Sequence, residues 1–185
     1  MRLFIAITLP DSEQARLAAL ANGLPGARWI SQDNLHLTLR FLGELDGGEA
    51  SDVDAALAQI SVPGFTLGLE GISHFGEGRK LRALWAGVRA NPALMRLQAK
   101  IEQAVIRAGL PPEKRKFKPH VTLTRFKSNP GGAKLQAYLA EHALFRGEPF
   151  EVDCFTLFSS FLSSSGAIYR PEVTYPLEPA EDSAV

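Results

Sequence analysis

The sequence predicts an α+β fold of two similar lobes, each with a mainly antiparallel sheet flanked by helices, around a central cleft. Three observations predict it. The phrase His36-Leu37-Thr38-Leu39 returns 84 positions later as His120-Val121-Thr122-Leu123. Strand-like and helix-like segments come as strand–helix–strand–strand–helix units, about twice over, with one phrase in each half. They do not alternate one for one, as a doubly wound parallel sheet would require. No linker-like composition marks the midpoint, so residues 1–178 read as one bilobal domain.

Each element has its own signal. Residues 2–9 (RLFIAITL) read as a strand stopped by Pro10, after which Asp11 or Ser12 can cap a helix running to about Asn22. Gly23 to Gly26 break it, ARWI (27–30) is a short strand and SQDN a turn. The first His strand follows at 35–42, then a loop over Gly43–Gly48 and a helix over about 49–60. Strands at 65–73 and 81–89 flank a Gly-punctuated loop, HFGEGRK. A helix from Pro92 to about Ala108 opens on proline and closes at Gly109. The loop PPEKRKFKP delivers the second His strand, HVTLTRF (120–126). A helix at about 133–142 and strands near 149–159 and 166–177 complete the chain. The tail from Pro179 is acidic and poor in apolar residues, and is expected to be disordered.

With 45% hydrophobic and 22% charged residues, the 185-residue chain has the composition of an ordinary globular protein. Twenty basic and twenty acidic side chains cancel. A protein that grips long nucleic acid by its backbone usually carries a basic excess. Any nucleic acid is therefore expected to be recognised locally, at an end, and a small nucleotide suits the balance equally. The single cysteine, Cys154, cannot form an internal disulfide, which fits a reducing compartment, and reads as a buried structural thiol. The opening run is too short for a signal peptide and no segment reaches membrane-spanning length. A soluble, cytoplasmic protein is expected, with nothing that reads as an obligate interface and hence a monomer.

Side chains at i and i+2 of a strand share a face. His36 and Thr38 thus point one way and Leu37 and Leu39 the other, and His120 and Thr122 repeat the arrangement. Imidazole titrates near neutrality, so two in one cleft can supply a base for water and an acid for a leaving group. The threonine hydroxyls can donate to the non-bridging oxygens of a phosphate held between them. No His-x-His, His-Glu-x-x-His or cysteine cluster offers a metal site, and GEGRK (76–80) lacks the spacing of a phosphate-binding loop. Alone, a strand histidine is more often structural than catalytic; the repeat in matching context argues for function here. His74 reads as a loop residue and His142 as a helix-end residue, both structural.

These motifs resemble the two-histidine phosphoesterases, specifically the RNA 2′,3′-cyclic phosphodiesterases also called bacterial and archaeal 2′-5′ RNA ligases. The resemblance runs over about residues 1–177, through MRLFIAITLP, NLHLTLRFLGE, FGEGRKLRALWAGV, KFKPHVTLTRF and FTLFSSFLSSSGAIYRPEVTYPL. It implies a bilobal fold with pseudo-twofold symmetry. It also implies hydrolysis of a 2′,3′-cyclic phosphate at an RNA end, for instance of a tRNA fragment, to a 2′-phosphomonoester. His36 would be the proton donor to the departing 3′ oxygen, His120 the proton acceptor that activates water, and Thr38 and Thr122 the phosphate ligands. No metal or organic cofactor is implied. With an RNA 5′-hydroxyl in place of water the same site would join ends through a 2′-5′ linkage without ATP, as a side reaction.

Arg125 has a spacing the family shares, although strict alternation puts it off the His face; Arg40, by the same alternation, shares the face of His36 and Thr38. Both are candidate substrate contacts. Lys114, Arg115, Lys116 and Lys118 form a basic run that reads first as a solvated loop. Tyr169 and Phe75 are candidates for stacking on a base, against a default of packing. Two alternatives stay open: a phosphodiesterase acting on a small cyclic nucleotide or a 2′-5′ oligonucleotide, and a non-catalytic module that binds nucleotides or RNA ends.

Overall fold

The computed structural model describes residues 1–180. The last five residues of the acidic tail expected from Pro179, 181–185, lie outside the described residues. Ten strands and four α-helices follow in the order β1 (Arg2–Thr8), α1 (Asp11–Ala18), β2 (Ala27–Trp29), β3 (His36–Glu44), α2 (Gly47–Leu57), β4 (Phe65–Leu67), β5 (Leu69–Phe75), β6 (Ala83–Val88), α3 (Pro92–Arg107), β7 (His120–Phe126), α4 (Gly132–Glu141), β8 (Phe150–Val152), β9 (Cys154–Ser163) and β10 (Gly166–Pro176).

Two antiparallel half-sheets carry the two His strands. One runs β10-β9-β1-β3; the other runs β7-β6-β5, with β2 also paired to β7. They meet where Leu37 of β3 pairs with Val121 of β7, so the predicted pair of sheets is continuous at its centre. Leu3, Ile5, Ile7, Leu37, Leu39, Leu84, Val121 and Leu123 pack in one core with Leu17 of α1, Val53 and Leu57 of α2, and Leu94, Leu97 and Ile101 of α3. Burial of that apolar face is what holds the helices on it. The histidines lie on the opposite face.

Several boundaries differ from expectation for identifiable reasons. Pro10 occupies the N-cap of α1 without a side-chain cap, so Asp11 and Ser12 lie inside the first turn, and the helix ends at Ala18. Helix α2 starts at Gly47, earlier than expected, because Asp46 and Glu49 form a reciprocal capping box. The predicted strand 65–73 is divided at Gly68, whose carbonyl accepts a hydrogen bond from Arg89 N. The predicted strand 149–159 is divided at Asp153. The two outer fragments, β4 and β8, pair with each other as a separate small sheet, from Phe65↔Val152 to Leu67↔Phe150. No helix among the described residues is long and apolar enough to cross a membrane.

Candidate active site

The Leu37–Val121 pairing gathers the four repeated residues. In antiparallel register it sets His36 against Thr122 and Thr38 against His120. Directly opposed residues on neighbouring strands have Cβ atoms about 5 Å apart. The two His-x-Thr phrases therefore form one patch, related by an approximate twofold through the central pair.

Both imidazoles are held in the same way. His36 Nδ1 donates to the carbonyl of Asn34 at 2.6 Å, and His120 Nδ1 donates to the carbonyl of Lys118 at 2.6 Å. A carbonyl can only accept, so Nδ1 carries the proton in both neutral rings and Nε2 is left with its lone pair. In each case the anchor is the carbonyl two residues upstream. The halves differ at Nε2. That of His36 accepts the Thr38 hydroxyl at 3.0 Å, whereas that of His120 has no hydrogen-bond partner among the described residues.

Aromatic walls flank each ring. His36 lies 5.0 Å from the Phe4 ring and meets Tyr169 edge-on at 5.3 Å. His120 meets Phe75 edge-on at 4.9 Å and lies 5.9 Å from Trp85. Burial among these rings pushes the His36 imidazole below its ordinary value despite the Asn34 bond, and the Arg125 and His120 charges push the same way. Burial likewise lowers His120 despite the hydrogen bond to the Lys118 carbonyl, with the charges of Lys118 and Arg125 adding to it. Tyr169 and Phe75 thus pack as walls of the histidines.

A β-bulge in each His strand re-sorts the neighbours. On β3, Thr38 pairs with Ala6 and Arg40 with Ile5, leaving Leu39 as the extra residue. On β7, Thr122 pairs with Trp85 and Thr124 with Leu84, leaving Leu123 as the extra residue. Both bulges fall three residues after the histidine. Their carbonyls are satisfied from outside the ladder, Leu39 by Gln98 Nε2 at 3.4 Å and Leu123 by Ile30 N at 2.8 Å. An extra residue inverts the alternation beyond it.

The inversion reverses the face expected for each arginine. Arg40 turns away from His36 and Thr38 into the helix-covered side, where it is only 9% exposed. Its Nε donates to Glu102 at 2.6 Å, Nη1 to the Phe41 carbonyl at 2.7 Å and Nη2 to the Pro111 carbonyl at 2.6 Å. With those donors engaged, Arg40 serves as a structural clamp, contrary to the expected phosphate contact. Arg125, expected off the His face, instead shares it with His120 and Thr122 and is exposed. Its charge acts on both imidazoles.

The bulge on β3 also brings Phe41 to the His face, opposite Phe4, with ring centroids 6.0 Å apart and 57% of the residue exposed. Sequence reasoning missed it. The approximate twofold makes Phe41 the counterpart of Arg125, each five residues after its histidine, so one half ends in an aromatic and the other in a cation. Of the basic run, Lys118 lies 4.9 Å over the Trp85 ring beside His120. Lys114, Arg115 and Lys116 are exposed. His74 lies in β5, not in the loop as expected, with Nδ1 on the Gly76 carbonyl at 2.8 Å; His142 follows α4 against Tyr138. Among the described residues no group of three or more His, Cys, Asp or Glu gathers as a metal site.

Comparison with known proteins places this geometry. The family model described as the 2′-5′ RNA ligase superfamily matches residues 9–160. The chain belongs to the 2′-5′ RNA ligase superfamily. Among superfamily relatives, the RNA 2′,3′-cyclic phosphodiesterase of Thermotoga maritima is 32% identical over 176 residues, covering 92% of each chain. That of Escherichia coli is 35% identical over 128 residues, covering 67% of this chain and 71% of its own. The crystal structure of E. coli LigT complexed with 3′-AMP aligns with a TM-score of 0.79 and 29% identity over 95% of this chain and 97% of that one.

Proposed function

We propose that this protein hydrolyses RNA 2′,3′-cyclic phosphate ends to 2′-phosphomonoesters, with His36 and His120 as acid and base and no metal in the chemistry. The observation that carries the reading is the pair of identically anchored imidazoles, each with Nδ1 tied to a backbone carbonyl and Nε2 left for chemistry, brought together at the Leu37–Val121 pairing.

The ring phosphorus sits between the two Nε2 atoms. His120 Nε2, which has no protein partner among the described residues, takes a proton from water as the water oxygen attacks phosphorus. The bond from phosphorus to the 3′ oxygen breaks on the opposite side, and protonated His36 gives its Nε2 proton to that oxygen. Water thus supplies the new P–O bond, the product keeps its phosphate on the 2′ oxygen, and the imidazoles exchange protonation states before the next turnover. Thr38 and Thr122 donate to the non-bridging oxygens, Thr38 releasing His36 to do so, and Arg125 offsets the charge developing there. Phe41 offers an exposed ring to the base of the terminal nucleotide.

The names of the relatives support this substrate, as does the 3′-AMP complex of the structural neighbour. The superfamily description supports ligation as a minor parallel course, in which an RNA 5′-hydroxyl replaces water at His120 and the 3′ oxygen leaves as before. The lone, half-buried Cys154, its thiol pushed up to about 11 chiefly by burial, suits a reducing cytoplasmic setting.

The test is incubation of a short RNA ending in a 2′,3′-cyclic phosphate with the protein in excess EDTA, followed by assignment of the product phosphate. A 2′-phosphate, formed equally well with and without EDTA, is the expected result. Absence of turnover with RNA binding intact would replace this reading with the binding-module alternative.

A further inference from the structure

We propose that Arg28, paired across the sheet with Arg125, receives the phosphodiester one nucleotide upstream of the cyclic phosphate and so gives the site a preference for oligonucleotide ends over single cyclic nucleotides. This rests on the hydrolase reading above and deepens it.

Strand β2 pairs with the end of β7 so that Arg28 stands directly opposite Arg125, flanked by Ala27↔Phe126 and Trp29↔Thr124. The face is fixed from both sides. Trp29, the next residue, turns to the helix side and packs against Tyr138 of α4 with ring centroids 6.0 Å apart. Its partner Thr124 is fully buried. Arg28 therefore shares the opposite face with Arg125, the face that carries His120 and Thr122.

Two guanidinium groups directly opposite one another on a sheet repel. Nothing acidic relieves them: the ion pairs among the described residues engage the amino terminus, Arg16, Arg40 and Arg146, but neither Arg28 nor Arg125. Neither guanidinium donates a hydrogen bond to another described residue either. An exposed pair of like charges held this way is suited to an anion that bridges or extends along it. Arginine recognises phosphate through a planar fork of donors, so two adjacent forks match two successive phosphates of one strand.

The geometry also orders the two. Arg125 lies on the strand that carries His120 and acts on both imidazoles, so it takes the reacting phosphate. Arg28 lies one strand over, with Cα atoms of such an opposed pair about 5 Å apart, and reaches the next phosphate. A mononucleoside 2′,3′-cyclic phosphate has no second phosphate and leaves Arg28 without a ligand.

Three substrates test this: adenosine 2′,3′-cyclic phosphate, an adenosine dinucleotide ending in a 2′,3′-cyclic phosphate, and the same dinucleotide with an uncharged methylphosphonate link. For the unaltered protein, kcat/KM on the charged dinucleotide is expected to exceed that on the neutral-link one by about tenfold, the size of one exposed charge-assisted contact. Arg28→Gln is expected to abolish that ratio and Arg28→Lys to keep part of it, with rising salt shrinking it in the unaltered protein. Equal kcat/KM on charged and neutral links, or an undiminished ratio in Arg28→Gln, would overturn the proposal while leaving the hydrolase reading standing. No turnover of any of the three would overturn the hydrolase reading and this one with it.

Discussion

Leu37 and Val121 form the one pairing among the described residues that joins the two half-sheets, and both are fully buried. Their side chains anchor the helix-covered face while the residues on either side of each, His36 and Thr38, His120 and Thr122, project from the other. Site geometry and core packing therefore meet at one cross-strand pair. Truncating Leu37 to Ala leaves a cavity under both phrases and is expected to lower stability by about 2–5 kcal/mol. Denaturant unfolding reads the loss, and kcat is expected to fall with it at temperatures where the variant remains folded, because the two imidazoles lose their common support.

Arg40 and Arg125 are expected to separate stability from chemistry. Arg40→Met removes one partner of the buried Glu102 pair and is expected to cost about 3 kcal/mol of stability. Where the variant is still folded, its KM should match that of the unaltered protein. Arg125→Gln should leave the melting temperature in place and lower kcat/KM roughly 10²-fold, the scale of one lost transition-state donor. Thermal melts and steady-state kinetics on the two variants check the contrast.

Phe41 is exposed and packs on Phe4, so its loss costs little core burial. Stacking on a base is worth about 1–3 kcal/mol. Phe41→Ala is expected to raise KM by about tenfold or more with little change in kcat, and Phe41→Trp to restore it.

The pH dependence follows from both imidazoles being lowered, chiefly by burial. The base must be neutral and the acid protonated. Falling pH protonates the base and rising pH strips the acid, so kcat/KM should trace a bell centred on the acid side of the ordinary imidazole value of about 6.5. A bound phosphate anion favours both charged imidazoles and raises both values. The bell in kcat is therefore expected at higher pH than the bell in kcat/KM. Initial rates across about pH 4 to 9, at low and at saturating substrate, read both curves.

Much of this was legible in the residues. Two His-x-Thr-Leu phrases in strand context place four side chains on one face, and period-2 alternation puts Leu37 and Val121 behind them. What alternation hides is a bulge. Leu39 and Leu123 are ordinary apolar strand residues, and nothing in their side chains announces that each is doubled against one partner; the inversion they cause sends Arg40 to the core and brings Phe41 and Arg125 to the site. The capping box of α2 was readable as Asp46-x-x-Glu49, before a helix that was expected two residues later. Arg28 was readable too, since Trp29 in ARWI asks for burial and alternation then turns Arg28 outward, but its significance depends on pairing with β7, which no local pattern shows.

The proposed mechanism has His36 and His120 act as one acid–base unit on the cyclic phosphate. The most direct measurement is kcat on an RNA 2′,3′-cyclic phosphate for the unaltered protein, His36→Ala, His120→Ala and the double variant. Each single substitution is expected to lower kcat by roughly 10²–10⁴-fold. The double variant should be little worse than either, because removing one half of a concerted pair leaves the other without a task. A single variant that kept near-normal turnover, or two losses that multiplied in full, would contradict the account.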